Sequence, residues 1–190
     1  KIVYKRGLAY LIDISIISLL LLLALLIMPN TNDFRSEIGN LNETFLNEEI
    51  SEKEYLNQLV TLNHQTDLEK KYETLLSISL IVFFFMIIPM KIKKTIGQLL
   101  VGIKIKSKNL NLKQLFIRAV VVNGLLYSII CVILMFFVSS IAYFSIITIL
   151  GILQVIITIK SFFMILLNKD HKGLQDIWSN TEIVLEEEIR

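Results

Sequence analysis

The stretch LAYLIDISIISLLLLLALLIM, residues 8–28, decides the fold, because its apolar residues form one nearly unbroken run. A bilayer core is about 30 Å thick, and a helix needs about 20 apolar residues to cross it. The run contains one charged residue, Asp13. No small-residue cleavage pattern follows it, so we interpret the run as a spanning helix rather than a signal peptide.

Two further apolar blocks extend this pattern along the chain of 190 residues. Residues 74–90 hold no charge, and residues 119–167 hold only Lys160 over a length sufficient for two crossings. A soluble protein would have to be far larger to bury such helices. We predict an all-α membrane protein with four transmembrane helices and no broken span. The single domain covers residues 1–190, with spans at 8–28, 74–90, 119–138 and 144–167.

The charged residues are segregated between the loops that join these spans. Residues 30–72 carry nine acidic and four basic residues, whereas residues 91–118 carry eight basic residues and no acidic one. Basic loops of membrane proteins stay in the cytoplasm. We therefore expect loop 30–72 to be extracytoplasmic, and loop 91–118, the tail 168–190 and both termini to be cytoplasmic.

Both kinds of loop carry local structure signals. Apolar residues at helical spacing predict two amphipathic helices in the outer loop, over 33–47 and 51–63, with Ser51 and Glu54 as a capping box. These helices either cap the span ends, which we favour, or recognise a partner. Alternating residues at 101–105 and 181–185 predict a short two-stranded ribbon on the cytoplasmic face.

The sequence lacks the motifs of soluble enzymes, including a P-loop and a zinc-protease helix. We therefore expect no enzyme activity, cofactor or metal site. His64 and His171 lie in different loops and are interpreted as surface residues, and Cys131 has no cysteine to pair with. The lysine-rich loop lies between spans, so we expect it to contact anionic lipid head groups rather than nucleic acid.

The polar residues inside the predicted spans are the candidate site. A charge at the centre of a span costs about 2.5–3.5 kcal/mol, so such residues face the bundle interior and find partners. Asp13 and Lys160 lie at similar depths on antiparallel helices, which predicts an ion pair between them. The set is either an ion or proton site or a structural polar site. Its members are Asp13, Lys160, Asn123 and Gln154.

Arg6 stands two helical turns before Asp13 on the same helix. Helical side chains lean towards the N-terminus, so Arg6 points away from Asp13 towards the cytoplasmic surface. We therefore expect its partner to be an acid of the tail, Asp170 or Asp176.

Four motifs together resemble the RDD family of bacterial membrane proteins. They are R-x-x-A-x-x-x-D in the first span, T-x-G-x-x-L-x-G-I-K-I after the second, an arginine at the third, and L-x-D-x-x-x-x-T-x-I-V near the end. The resemblance implies a bacterial inner-membrane location and a transport role, proposed as sodium/proton antiport for some members. The residues that match these motifs are Arg6, Asp13, Thr95, Gly97, Gly102, Arg118, Asp176 and Thr181.

Two functional hypotheses follow from these observations. In the first, the protein has a transport-related role, coupled to a cation or proton, with Asp13 as its central polar residue. In the second, it is a non-catalytic subunit, chaperone or immunity-type protein that docks a partner through its outer or basic loop. Four helices leave little room for alternating access, so we expect a homo-oligomer or a second membrane protein.

Overall fold

The computed structural model describes residues 2–27 and 34–186, and within them the chain is mainly helical. A two-stranded sheet joins the middle of the chain to its last described segment. The elements in chain order are α1 (Ile2–Leu25), α2 (Arg35–Leu46), α3 (Glu52–Glu69), α4 (Lys71–Val82), a π-helical segment (Phe83–Ile87), α5 (Ile88–Ile92), α6 (Ile96–Val101), β1 (Ile103–Lys106), α7 (Leu112–Asn123), α8 (Leu125–Phe137), α9 (Ser140–Leu167), α10 (Leu174–Ser179) and β2 (Glu182–Leu185).

The spanning candidates agree with a helical membrane protein. Among the described residues, three helices are long and apolar enough to cross a bilayer: α1, the continuous helix Lys71–Ile92 and α9. The count becomes four if α7 and α8 together form one crossing.

The third predicted span is broken, so the prediction of an uninterrupted helix over 119–138 is wrong. α7 and α8 meet at an angle of 80°. Gly124 lies between them with a φ of 63°, a left-handed conformation that only glycine adopts without strain. Its N–H donates to the carbonyl of Val120 at 3.1 Å, which ends α7 as a helix C-terminus inside the apolar block.

Several predicted boundaries also move. α1 begins at Ile2 rather than residue 8, and α9 begins at Ser140 rather than residue 144. The second outer helix, predicted over 51–63, runs from Glu52 to Glu69. Ser51 caps it by accepting from the Glu54 N–H at 3.3 Å. The predicted end of the first span at residue 28 and the predicted helix start at residue 33 lie outside the described residues.

The ribbon is confirmed, with its first strand shifted by two residues. β1 and β2 pair antiparallel, with Ile103 opposite Leu185 and Lys106 opposite Glu182. Ile103 and Ile183 of the ribbon pack with Ala9 of α1 in a buried apolar core. We call this end of the bundle the ribbon end, and the opposite end, where α2 and α3 lie, the hairpin end.

At the hairpin end, α3 packs against α8 and α9 through buried polar contacts. The interpretation of His64 as a surface residue is wrong, since it is only 8% exposed. Its ring nitrogens contact the Ser140 hydroxyl and the Met135 carbonyl, both at 2.9 Å. The ring also stacks on Tyr143, whose hydroxyl donates to Asp67 at 2.8 Å. Asp67 and His64 follow helical spacing, so α3 presents both to the bundle.

Candidate functional site

Asp176 is the centre of an ion cluster that ties three helices together at the ribbon end. Its Oδ2 accepts from Arg6 Nη2 and its Oδ1 from Arg118 Nη1, both at 2.6 Å. The Asp176 carboxylate is fully buried, and the two guanidiniums are about one-tenth exposed. The Arg6–Asp176 pair predicted from side-chain direction is confirmed, whereas Asp170 is exposed.

Backbone and tail groups complete this cluster. Arg6 Nη1 donates to the His171 carbonyl at 2.7 Å, and the Gly173 N–H donates to Asp176 at 2.9 Å. Arg118 Nη1 also donates to the Thr181 hydroxyl at 2.6 Å. His171 has a φ of 50° and is partly exposed, so the surface interpretation of this residue is not contradicted.

The pKa of Asp176 lies below its usual value of 3.8. Burial raises this pKa, but the charges of Arg118 and Arg6 and the hydrogen bonds to the carboxylate lower it further. Because the folded-state pKa is below the unfolded one, ionised Asp176 stabilises the fold above the unfolded pKa. We expect this stabilisation to disappear as the pH falls below about 4, through the folded-state pKa.

Unfolding of the purified protein in detergent, followed from pH 7 to pH 3, checks this expectation. Acid destabilises other carboxylates as well, so the informative quantity is the difference from Asp176→Asn. That difference should shrink as the pH falls. A difference that stays constant over the whole range would contradict the assignment.

Asp13 holds α6 against α1. It is 2% exposed, and its carboxylate accepts from the Thr95 hydroxyl at 2.5 Å and from the Gly97 N–H at 2.7 Å. Thr95 is also the N-cap of α6, where it accepts from the Gln98 N–H. Gly97 has room for no side chain, because a Cβ there would collide with the Ala9 carbonyl oxygen. Asp13 therefore fixes the start of α6 by accepting hydrogen bonds from the Thr95 hydroxyl and the Gly97 N–H.

The predicted ion pair between Asp13 and Lys160 is wrong. Lys160 is exposed on α9, while both carboxylate oxygens of Asp13 bond to Thr95 and Gly97. The residue of α9 that faces the interior at this level is Ser161, which is 4% exposed. Successive side chains of a helix point in directions about 100° apart. Lys160 therefore matches the depth of Asp13 but points outwards, whereas Ser161 points inwards.

Gln154 and Asn123 lie at the break between α7 and α8. Gln154 Nε2 donates to the carbonyls of Val120 and Val121 at 3.2 and 3.3 Å, so it pairs the carbonyls where α7 ends. Thr158 adds a bond to Val121 at 3.2 Å. The Asn123 side-chain amide is buried, and within the described part of the chain it has no hydrogen-bond partner.

These contacts form part of a polar seam along one side of α9. The seam runs from the hairpin end, past the break, to Ser161, which donates to the Gln175 side chain at the ribbon end. In its middle, Gly151 leaves room for the Tyr127 hydroxyl, 3.6 Å from where a Cβ would lie. The α9 residues of the seam are Ser140, Tyr143, Gly151, Gln154, Thr158 and Ser161.

A cavity of about 440 Å³ lies where the seam reaches the ribbon end. α1, α7 and α9 supply most of its wall, and Phe85 of the π-helical segment also contributes. Single π-helical turns in helices are often found at functional sites. The polar groups of the wall include Arg6, Asp13, Thr95, Gln98, Arg118, Thr158, Ser161 and Gln175.

The structure thus places most of the sequence-predicted residues at or beside the cavity and the others elsewhere. Asp13, Thr95, Arg6 and Arg118 meet at the cavity, and Asp176 and Thr181 lie directly behind the arginines. Gly102 has a φ of 71° and leads α6 into β1, which explains its place in the motif. Asn123 and Gln154 lie deeper, at the break, and Lys160 faces outwards.

Sequence reasoning missed Ser161, Gln175 and Thr158. Their signal was present, because Gln154, Thr158 and Ser161 recur at helical spacing through an apolar block. Serine and threonine hydroxyls can donate to backbone carbonyls of their own helix. A single serine or threonine in an apolar block is therefore weak evidence for a site.

The comparisons with known proteins agree with this architecture. The sequence model of the RDD family matches residues 3–180. No curated protein and no solved structure matched the chain.

Proposed function

The chain belongs to the RDD family, and on that premise we propose that it is a bacterial inner-membrane protein with a transport-related role. The observation that carries the proposal is the polar seam of α9, which joins buried polar groups at the hairpin end to the ribbon-end cavity. Polar residues inside a membrane are costly and mark the paths of substrates and ions. In this proposal the cavity binds the solute, and the seam carries a coupled cation or proton.

The orientation follows from the charges. The ribbon end carries the basic loop 91–118, and the hairpin end carries the acidic loop. Basic segments remain on the cytoplasmic side, so we place the ribbon end and both termini in the cytoplasm. The exposed lysines Lys91 and Lys93 then face anionic lipid head groups. We propose no enzymatic activity, cofactor or nucleic-acid partner.

Asp13 has a positioning role in this proposal. Both of its oxygens already accept short hydrogen bonds from α6, so a cation would have to compete with Thr95 and Gly97. A carboxylate with strong donors at both oxygens holds its partner segment in place. Asp13 therefore keeps α6 and the floor of the cavity in position rather than carrying the coupled ion.

The break at Gly124 supplies the element that moves. Discontinuous spans are common at transporter binding sites, and hinges absorb changes of φ and ψ at few residues. Gln154 and Thr158 of α9 hold the end of α7 through three hydrogen bonds, which a small rotation of α7 about the break would open. Few spans surround this element, so we propose that the working unit is a homo-oligomer or includes a second membrane protein.

Flux through reconstituted vesicles tests the proposal. Vesicles with an internal pH dye and an imposed sodium gradient report proton movement. Thr158→Val keeps the size of the side chain and removes the seam hydroxyl, and we expect it to lower the rate by about tenfold, as for a lost pathway group. The matched control is Thr148→Val, because the Thr148 hydroxyl donates to Phe144 of its own helix, whereas the Thr158 hydroxyl donates across to Val121 of α7.

Proton movement no faster than in empty vesicles would overturn the transport role. An equal rate in Thr158→Val and Thr148→Val would overturn the seam as the path of the coupled ion. Asp13→Asn separates positioning from coupling. At matched amounts of folded protein we expect it to retain flux, whereas a coupling carboxylate would lose it.

A second function is favoured by a different feature, a cleft of about 600 Å³ between α2 and α3. Amide and hydroxyl side chains such as Asn40, Asn57 and Thr61 line it, and it lies at the hairpin end. A non-catalytic subunit, chaperone or immunity-type protein would use it to dock a partner. Co-purification of a stoichiometric partner that is lost with Asn57→Trp would favour this function.

A further inference from the structure

The ribbon-end cavity opens sideways between α1 and α9. α1 packs mainly on α4 and α6, whereas α9 packs mainly on α3, α7, α8 and α10. The two helices that form the walls of the opening therefore pack on different neighbours. Leu11 of α1 and Phe162 of α9 both line the cavity, yet they are 62% and 58% exposed. Because these two side chains line the cavity and are also exposed on the outer surface of the protein, they form the rim of the opening. Because both helices are spanning candidates, this rim faces the apolar part of the bilayer.

The wall chemistry changes from the rim inwards. Next to the rim it is apolar, with Ile165 and Val122 beside Leu11 and Phe162. At the inner end it presents the guanidiniums of Arg6 and Arg118. Asp176 neutralises one of these two charges, so the cluster has a formal charge of +1. Asp13 also lines the cavity, and Thr95 and Gly97 hold its carboxylate through uncharged donors. An ionised Asp13 therefore brings the formal charge of the whole wall to zero, and the positive charge is local to the two arginines.

Donors remain for an anion at this inner end. A guanidinium carries five N–H donors in a planar fork. The bonds that the structure describes for Arg118 all come from Nη1, which leaves Nη2 and Nε. Guanidinium forks match phosphate oxygens well, and basic pockets between spans bind anionic lipid head groups.

We propose that this cavity binds one anionic phospholipid, with the phosphate against Arg118 and Arg6 and an acyl chain leaving between Leu11 and Phe162. A volume of about 440 Å³ suits a head group and the first part of a chain. The local positive charge of the Arg6–Arg118–Asp176 cluster favours an anionic head group, and the lateral opening favours a lipid with a tail over a soluble phosphate. Lipid as the transported substrate rests on the function proposed above, whereas binding does not.

Native mass spectrometry of the full chain in detergent tests the proposal, with phosphatidylglycerol, phosphatidylcholine and inorganic phosphate as probes. We expect one phosphatidylglycerol to bind about tenfold more tightly than phosphatidylcholine, which is 1.4 kcal/mol. Phe162→Trp narrows the opening and should weaken phosphatidylglycerol binding by a similar factor. Phe163→Trp is the matched control, since Phe163 is equally exposed on α9 but does not line the cavity.

Each outcome is decisive. Equal binding of both lipids, or equal effects of Phe162→Trp and Phe163→Trp, would overturn the proposal. Tight binding of inorganic phosphate that Phe162→Trp leaves unchanged would assign the arginines to a soluble anion and also overturn it. Arg118→Lys keeps the charge but loses the fork, so we expect weaker binding of both lipids with the preference for phosphatidylglycerol retained, in protein that still folds. Selective lipid binding without proton flux would reject the transport role alone, and flux without lipid selectivity would reject the lipid alone.

Discussion

Replacement of Asp176 by alanine is expected to lower the free energy of unfolding by about 3–5 kcal/mol. The substitution leaves Arg6 and Arg118 buried, with no carboxylate between them. Removing one partner of a buried ion pair is far more damaging than the net worth of the pair, because the remaining charge is uncompensated. Here two charges remain, and α1, α7 and α10 lose their common contact. Denaturant unfolding in detergent measures the change.

Asp170→Ala is the matched control for this experiment. Asp170 is an exposed acid of the same tail segment, six residues before Asp176. Surface substitutions of this kind change stability by about 0.5 kcal/mol or less. If the two variants unfold alike, the ion cluster contributes nothing to the fold.

Substitution of Gly97 by alanine is expected to destabilise the protein by about 1–3 kcal/mol, the usual cost of overpacking. The new methyl group would meet the backbone of Ala9, and its distance to Asp13 Cγ would be 3.0 Å. Backbone cannot move aside as a flexible side chain does, so α6 must shift away from α1. The hydrogen bond from the Gly97 N–H to Asp13 would lengthen with it.

Thermal unfolding and protection of the α6 backbone in hydrogen exchange measure this effect together. Gly39→Ala is the control, because Gly39 lies in α2 with nothing within 4 Å of a Cβ. Alanine is the better helix former, so this control should be stabilised by up to about 1 kcal/mol. A Gly97→Ala protein as stable as the control would mean that α6 does not rest on α1 as described.

Much of this architecture could be predicted from local patterns. Alternation of apolar and polar residues identified the ribbon, and the direction of helical side chains identified Asp176 as a partner of Arg6. Each of these inferences uses short-range geometry. The ribbon moved by two residues because Gly102, in the left-handed conformation, delays the strand until Ile103.

The errors arose where rotation about a helix axis decides the outcome. Depth along two antiparallel helices matched Asp13 with Lys160, but it does not say which side of α9 faces inwards. That side follows from the neighbours of α9, and so does the burial of His64 and Tyr143. The break at Gly124 had a local signal, an Asn-Gly pair inside an apolar block. The uniform hydropathy around it concealed the signal.

The dependence of the arginines on Asp176 has a consequence for biosynthesis. Arg6 leaves the ribosome 170 residues before its acid partner. Arg118 precedes Asp176 by 58 residues. Until α10 has been synthesised, both guanidiniums lack this carboxylate, so this end of the bundle can close only after α10 has emerged. A chain truncated before Asp176 would therefore leave both guanidiniums without this carboxylate, whereas a chain that includes α10 joins α1 and α7 to it.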